Sequence, residues 1–333
     1  MRRAALAAFA VLLAACQASP QPTPGPASTA AVRTLPPPAQ RSGPVGSESR
    51  PLVMAMLPSR ETARVTASGK AIANALEKAT NLQWEVKVPL RYATTIEGMC
   101  AGETDIAWLA PLAVVAARAK NCAEPLVAGL ANDPTAGRPN VTYPLQLLVR
   151  ANSGIAALKD LRGKRVALVG SAATPASLAV FAQVRKDTGT DPKTFFAQTI
   201  YQGHDATAVL AMYQGQVEAA VVIIDARDAV EKTFPDVKRA TTRIAIVGPV
   251  PNDGLSTRRG LPADVRDKVE KALIDYAKTD EGKKALKALY PIDGLDRVDA
   301  TVYDALLEAA RLMGVDLDRE AAATARPSPS PTK

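Results

Sequence analysis

The alternation of short apolar runs with stretches of helical spacing constrains this chain more than any other feature. Residues 52–57 form an apolar run of strand length, and residues 64–79 place Ile72, Leu76 and Ala79 on one helical face. Residues 83–88 alternate toward a second strand, and residues 93–101 carry Ile96 and Met99 at helical spacing. Gly102-Glu103-Thr104-Asp105 then turns the chain into an apolar strand at 106–108, and a helix over 112–119 and a strand ending near Leu130 continue the pattern. Strands alternating with helices predict a parallel sheet covered on both faces, whose ligands bind beyond the carboxyl ends of the strands. Tyr92, Ala110-Pro111 and Ala131-Asn132 fall at that edge.

The pattern restarts after an extended run over 143–150. Apolar strands are expected at 165–169, 198–201 and 219–224, and a further apolar run at 244–250. Beyond it the chain reads as helical over 262–279, with Val265, Val269, Leu273 and Tyr276 in register, then over 280–289 and 300–313. Extended crossings near 148 and near 246 bracket the middle segment. The expectation is therefore an α/β protein of two lobes joined by a two-strand hinge, with lobe 1 built from 51–147 and 247–318 and lobe 2 from 148–246. A body of roughly 265 residues is long for one core and comfortable for two.

Within the second lobe, residues 163–182 read as strand, tight turn and helix. Val166 to Val169 supply the strand, Gly170 and Ser171 the turn, and Thr174 stands before Pro175, a residue well suited to the first helical position. The first N–H groups of such a helix lack internal partners and its dipole is positive there, so the turn suits an anion. It equally suits an ordinary capped β-α connection.

Both ends read differently from the body. Met1-Arg2-Arg3 and the apolar stretch 4–15 form a secretory signal too short to span a bilayer as a mature helix. Leu13-Ala14-Ala15-Cys16 resembles the lipobox of bacterial lipoproteins, so the mature chain is expected to be exported and anchored to the membrane through a lipidated Cys16. Residues 17–50 are rich in Pro, Ser, Thr, Ala and Gln and are expected to form a disordered tether; residues 319–333 are expected to be a disordered tail. The 41 Lys and Arg against 33 Asp and Glu give +8, and loss of Arg2 and Arg3 leaves +6. The basic residues are dispersed and aromatics are few, which argues against nucleic-acid binding. Cys100 and Cys122 remain in an oxidising compartment near the ends of two helices that follow parallel strands. Such helices end at one edge of the sheet, so a disulfide is predicted.

Four motifs in order carry a resemblance. Gly102-Glu103-Thr104-Asp105-Ile106-Ala107-Trp108-Leu109-Ala110-Pro111, Asp160-Leu161-Arg162-Gly163-Lys164-Arg165-Val166-Ala167, Gly203-His204-Asp205-Ala206 and Tyr213-Gln214-Gly215-Gln216-Val217-Glu218-Ala219 are similar to those of phosphate/phosphite/phosphonate ABC-transporter substrate-binding proteins. The resemblance runs from about 52 to about 313. It implies a type 2 periplasmic-binding-protein fold, a small oxyanion captured by lobe closure, a permease and an ATPase as partners, and a monomer that needs no cofactor or metal.

Carried over residue by residue, the resemblance implies ligand contacts at Tyr92, Tyr143, Thr174, His204 and Asp225, with Asp228 as a rival to Asp225. His204 is the single histidine of the chain and precedes a helix over 206–213. One departure stands out: the family usually places Ser-Thr-Ser-Gly where this chain has Ala173-Thr174-Pro175-Ala176, so two hydroxyls and one backbone donor are missing. No metal-ligand spacing, Gly-rich nucleotide loop or nucleophile with an evident base points to an enzyme. The alternatives are an extracytoplasmic sensor or adhesin without a permease, and an enzyme on the same fold such as a chorismate-type dehydratase.

Overall fold

The computed structural model of the chain describes residues 43–56, 62–290 and 292–322. The signal segment, Cys16, most of the expected tether and the tail beyond 322 lie outside the described residues. Within them the chain opens with β1 (Leu52–Ala55), buried at every position, followed by α1 (Thr62–Thr80) and β2 (Trp84–Lys87). Next come α2 (Tyr92–Cys100), β3 (Ile106–Leu109) and α3 (Pro111–Ala119), then β4 (Ala123–Asp133) and the short β5 (Arg138–Asn140). The middle of the chain supplies β6 (Thr142–Arg150), β7 (Arg165–Val169), α4 (Pro175–Thr188), α5 (Pro192–Phe195) and β8 (Gln198–Gln202). It continues through α6 (Asp205–Tyr213), β9 (Ala219–Ile223), α7 (Ala226–Glu231), α8 (Val237–Ala240) and β10 (Thr241–Pro251). The chain then returns through β11 (Gly254–Arg258), α9 (Ala263–Lys278), α10 (Asp280–Leu289), β12 (Gly294–Arg297), α11 (Thr301–Met313) and α12 (Leu317–Ala322).

These strands make two sheets. The first has the order β12-β4-β11-β3-β1-β2, with β5 on β4; the second has the order β10-β6-β9-β7-β8. Each sheet repeats one plan: two parallel strands flank the first strand of the unit, and an antiparallel strand from elsewhere in the chain is inserted before the last. This doubled plan is the two-lobed, type 2 binding-protein arrangement. Gly254 permits the insertion in the first sheet, since a Cβ there would stand 2.2 Å from the Val127 carbonyl oxygen.

The lobes have separate interiors that meet on a shared layer of helices. Leu52, Met54, Leu76, Trp108, Val269 and Leu273 pack under α1, α9 and α10 on one face of the first sheet. Ala208, Val209, Met212 and Val222 form the α6 side of the second. Between them a third cluster joins Ile96 and Val115 to Leu178, Phe181 and Tyr303, because α11 packs on α4 as well as on α3. Truncating a residue such as Phe181, 1% exposed, would cost about 3–5 kcal/mol.

Four expectations change. The crossings expected near 148 and 246 lie instead at Asn140–Thr142 and Pro251–Gly254, because β6 and β10 pair from Thr142↔Pro251 to Arg150↔Thr241 and so belong together to the second sheet. The segment from 247 onward, expected to complete lobe 1, is shared between the lobes through the end of β10 and α11. Residues 43–50, assigned to the tether, fold against lobe 1: Gly46 N–H donates to the Arg50 carbonyl at 2.8 Å, and Val45 packs on the first core. Residues 319–322, assigned to the tail, belong to α12, which buries Ala321 against α2 and α3.

Candidate functional site

Seven connections carry the candidate residues, five at the carboxyl ends of parallel strands and two at the crossings. On lobe 1, Tyr92 opens α2 just after β2, and Ala110-Pro111 opens α3 directly after β3. The pairing Gly254↔Leu109 sets Asp253 beside Ala110. The Tyr92 hydroxyl bonds the Ala110 backbone. On lobe 2, Thr174, His204 and Asp225 each precede the first residue of the helix following β7, β8 and β9. Tyr143, near the start of β6, faces Val250 of β10.

Asp253 gathers what the sequence had left apart. Burial pushes the phenol of Tyr92 up, and the Asp253 carboxylate adds to it, against the Ala110 backbone bond. Tyr143 is pushed up by burial, then by Asp253 and Asp205. Tyr303 of α11, 1% exposed, is pushed up by burial and Asp253 against the Arg118 guanidinium. Three phenols held in their protonated form therefore feel the charge of one carboxylate, in the two-residue connection between β10 and β11. They come from lobe 1, from lobe 2 and from the helix that touches both. The same connection is fixed by Asn252, whose Nδ2 donates to the Gly129 and Asn140 carbonyls at 2.9 Å each, and by Gly129 N–H, which donates to the Asp253 carbonyl at 2.9 Å.

The lobe 2 edge is equally specified. Asp205 Oδ1 accepts from Ile223 N–H at 2.9 Å, and Gln146 Nε2 donates to the Ile223 carbonyl at 3.0 Å. The Gln146 side chain is 1% exposed, and its Oε1 has no hydrogen-bond partner among the described residues. Asp225 is exposed and adopts φ 66, a left-handed backbone that aspartate tolerates at a cost of about 1 kcal/mol, and its carboxylate caps nothing. Asp228 is engaged elsewhere, by Lys238 at 2.8 Å. Of the two rivals, Asp225 therefore stands in the turn between β9 and α7, and Asp228 on the α7–α8 surface.

Thr174 behaves unlike the others. Its Oγ1 accepts from Ser177 N–H at 3.3 Å and lies 3.1, 3.0 and 3.0 Å from the Val169 carbonyl, the Ser171 carbonyl and Ser177 Oγ. Its methyl rests on Gly170, where φ is 91 and a Cβ would come within 2.4 Å of it. His204 is exposed at the start of α6; its carbonyl accepts from Thr207 Oγ1 at 2.7 Å and from Ala208 N–H at 3.2 Å.

Asp253, Asp205, Gln146 and Tyr303 were not singled out in the sequence. The available signal was Asn252-Asp253-Gly254, a turn triplet interrupting an otherwise apolar stretch. Away from this edge, Cys100 at the end of α2 is disulfide-bonded to Cys122 before β4. No cluster of metal-ligand residues occurs among the described residues, and no helix among them is long and apolar enough to cross a membrane.

The chain matches, over residues 54–303, the family described as ABC transporter, phosphonate, periplasmic substrate-binding protein. It is 28% identical over 207 residues to the phosphonates-binding periplasmic protein of Escherichia coli, covering 60% of this chain and 58% of that one. It is 30% identical over 175 residues to the phosphate-import protein PhnD of Mycolicibacterium smegmatis, covering 50% and 53%. The matches thus span a little over half the length of these relatives. Among solved structures, XAC2383 from Xanthomonas citri bound to ATP superposes with a TM-score of 0.54 at 18% identity, covering 82% of this chain and 99% of that one. At that identity the likeness concerns the fold.

Proposed function

We propose that this chain, which belongs to the family of periplasmic substrate-binding proteins of phosphonate ABC transporters, captures a small oxyanion such as phosphonate, phosphite or phosphate between its lobes and presents it to a permease and ATPase. The family is one of extracytoplasmic transporter components rather than enzymes. The ligand class follows the relatives' names, phosphonates-binding and phosphate-import.

The observation that carries the reading is that helix starts and crossings of both lobes place Tyr92, Ala110, Tyr143, His204 and Asp225 at one edge, where the charge of Asp253 also bears on Tyr92, Tyr143 and Tyr303. Protonated phenols are donors to an oxyanion, and burial strengthens such bonds. Rotation about 140–142 and 251–254 would bring Tyr92 and Ala110 toward His204 and Asp225, enclosing a ligand held between lobes. His204 supplies a further donor beside the α6 N-terminus. Asp225 is placed to meet an amine on an aminoalkyl ligand.

The test is a thermal-shift screen of phosphate, phosphite, alkylphosphonates, sulfonates and amines, followed by calorimetry on the hits. The reading predicts one-to-one binding of a phosphorus oxyanion and a loss of roughly tenfold in Tyr143→Phe, which removes a hydroxyl and keeps the ring. A response to sulfonates or simple amines alone would contradict it. Anchoring through Cys16 is part of the same proposal: Cys16→Ser should move the protein from the membrane to the soluble fraction, and unchanged membrane association would remove the lipid from the account.

A further inference from the structure

We propose that Thr174 and Pro175 close the α4 N-terminus to the ligand, so that the cleft selects an oxyanion carrying a single negative charge over a dianion. The inference rests on the cleft being the ligand site and adds which charge state it accepts. Its basis is a count of donors. Pro175 at the first helical position has no N–H. Ser177 N–H is taken by Thr174 Oγ1 at 3.3 Å, Thr174 N–H by the Ser171 carbonyl at 3.1 Å, and Ala173 N–H by Ser171 Oγ at 3.3 Å. The single hydroxyl proton of Thr174 has three acceptors within 3.1 Å in its own turn. Ala173 is 6% exposed and Ser177 1%, so neither presents a side chain outward. Ala176 N–H is the one backbone donor of the first helical turn left open among the described residues; before the helix, Ser171 N–H, Ala172 N–H and the hydroxyl of the exposed Ser171 are the further donors of the turn, fewer than a doubly charged head can use.

A doubly charged head needs many donors, and each one absent leaves charge unpaired in a partly desolvated site. The carboxylates at the same edge act in the same direction. Asp205, fixed by Ile223 N–H, and Asp253 both bear on Tyr143, and Asp225 lies two residues past β9, so a second negative charge would be repelled at this edge. A monoester of a phosphonate avoids both penalties.

Methylphosphonate and its monomethyl ester separate the possibilities, since they differ by one methyl group and, well above the second ionisation of the parent acid, by one charge. Calorimetry on the full mature chain at such a pH should find the ester bound at least tenfold more tightly. Pro175→Ser, which restores one N–H and one hydroxyl at the helix start, should narrow that gap by strengthening the parent acid and leaving the ester alone. Thermal denaturation shows whether the variant is folded, and the wild-type comparison needs no variant. Equal or tighter binding of the dianion by the wild type, or a gap unmoved in folded Pro175→Ser, would overturn the inference while leaving the cleft as an oxyanion site. Failure of both probes together with phosphate and phosphite would instead sink the oxyanion reading itself.

Discussion

At the scale of single residues, hydrogen-bond partners decide between roles that residue type leaves open. Thr174 could cradle an anion or cap a helix, and its bonds to Ser177, Ser171 and Val169 make it a cap. Thr174→Ala should therefore lower stability by about 1 kcal/mol in chemical denaturation and leave affinity for a phosphonate monoester unchanged; a tenfold loss of affinity would contradict the cap. Glu218 is a second case. Arg165 clasps it through Nη2 at 2.7 Å and Nε at 3.2 Å, and the Arg165 N–H adds a bond at 2.8 Å. The guanidinium bond, and then the backbone bond and charge, hold the Glu218 carboxyl down from 4.5 to about 2 against the opposing effect of burial. Because the folded value is the lower one, the stabilisation is complete above about pH 4.5 and is lost as pH falls toward about 2. After allowance for solvent screening it amounts to about 1 kcal/mol. Glu218→Gln should be less stable than wild type at pH 7 by that amount, and the difference should vanish at pH 2; a constant difference would contradict the assignment.

At the scale of elements, legibility followed burial. α4 was readable from Thr174-Pro175 and its helical spacing, and β1, β7 and β9 from unbroken apolar runs, because strands covered on both faces are apolar throughout. β11 was not readable. Its sequence, Gly-Leu-Ser-Thr-Arg, is buried along its whole length yet carries three polar residues. Arg258 is accommodated inside the protein because Asp105, also buried, meets its Nε at 2.8 Å and receives Val53 N–H at 3.0 Å. A partner 153 positions away cannot be inferred from local pattern. For the same reason Asp253 stayed hidden: its neighbours come from α2, β6 and α11. The disulfide belongs at this scale too. It ties the last residue of α2, the helix that Tyr92 opens, to the start of β4 across 22 positions. Cys100→Ser should cost about 3 kcal/mol and lower the melting temperature by several degrees, and a melting temperature unchanged in the variant would deny the bridge a structural role.

At the scale of the whole molecule, two lobes of like topology are joined at two crossings only a hydrogen bond apart: Asn252 N–H donates to the Val141 carbonyl at 3.0 Å. Strand pairing keeps β6 and β10 in one sheet, so bending is confined to the few residues between β5 and β6 and between β10 and β11. The helix α11 packs on α4 and β10 on one side of this region and on α3 on the other, which limits how far the lobes can part. Two lobes were legible in the sequence because their β-α patterns restart after 150; where the hinge lies was not, because nothing local in β6 or β10 says that the two strands pair with each other along their whole length. The central claim is that these lobes close on a small oxyanion. Small-angle scattering of the mature chain, alone and with phosphite or methyl methylphosphonate at a concentration that calorimetry shows to be saturating, tests it most directly. Closure predicts a smaller radius of gyration in the complex and a further effect of Asn252→Ala, which frees the crossing, on the unliganded chain. A radius of gyration identical with and without bound ligand would contradict it.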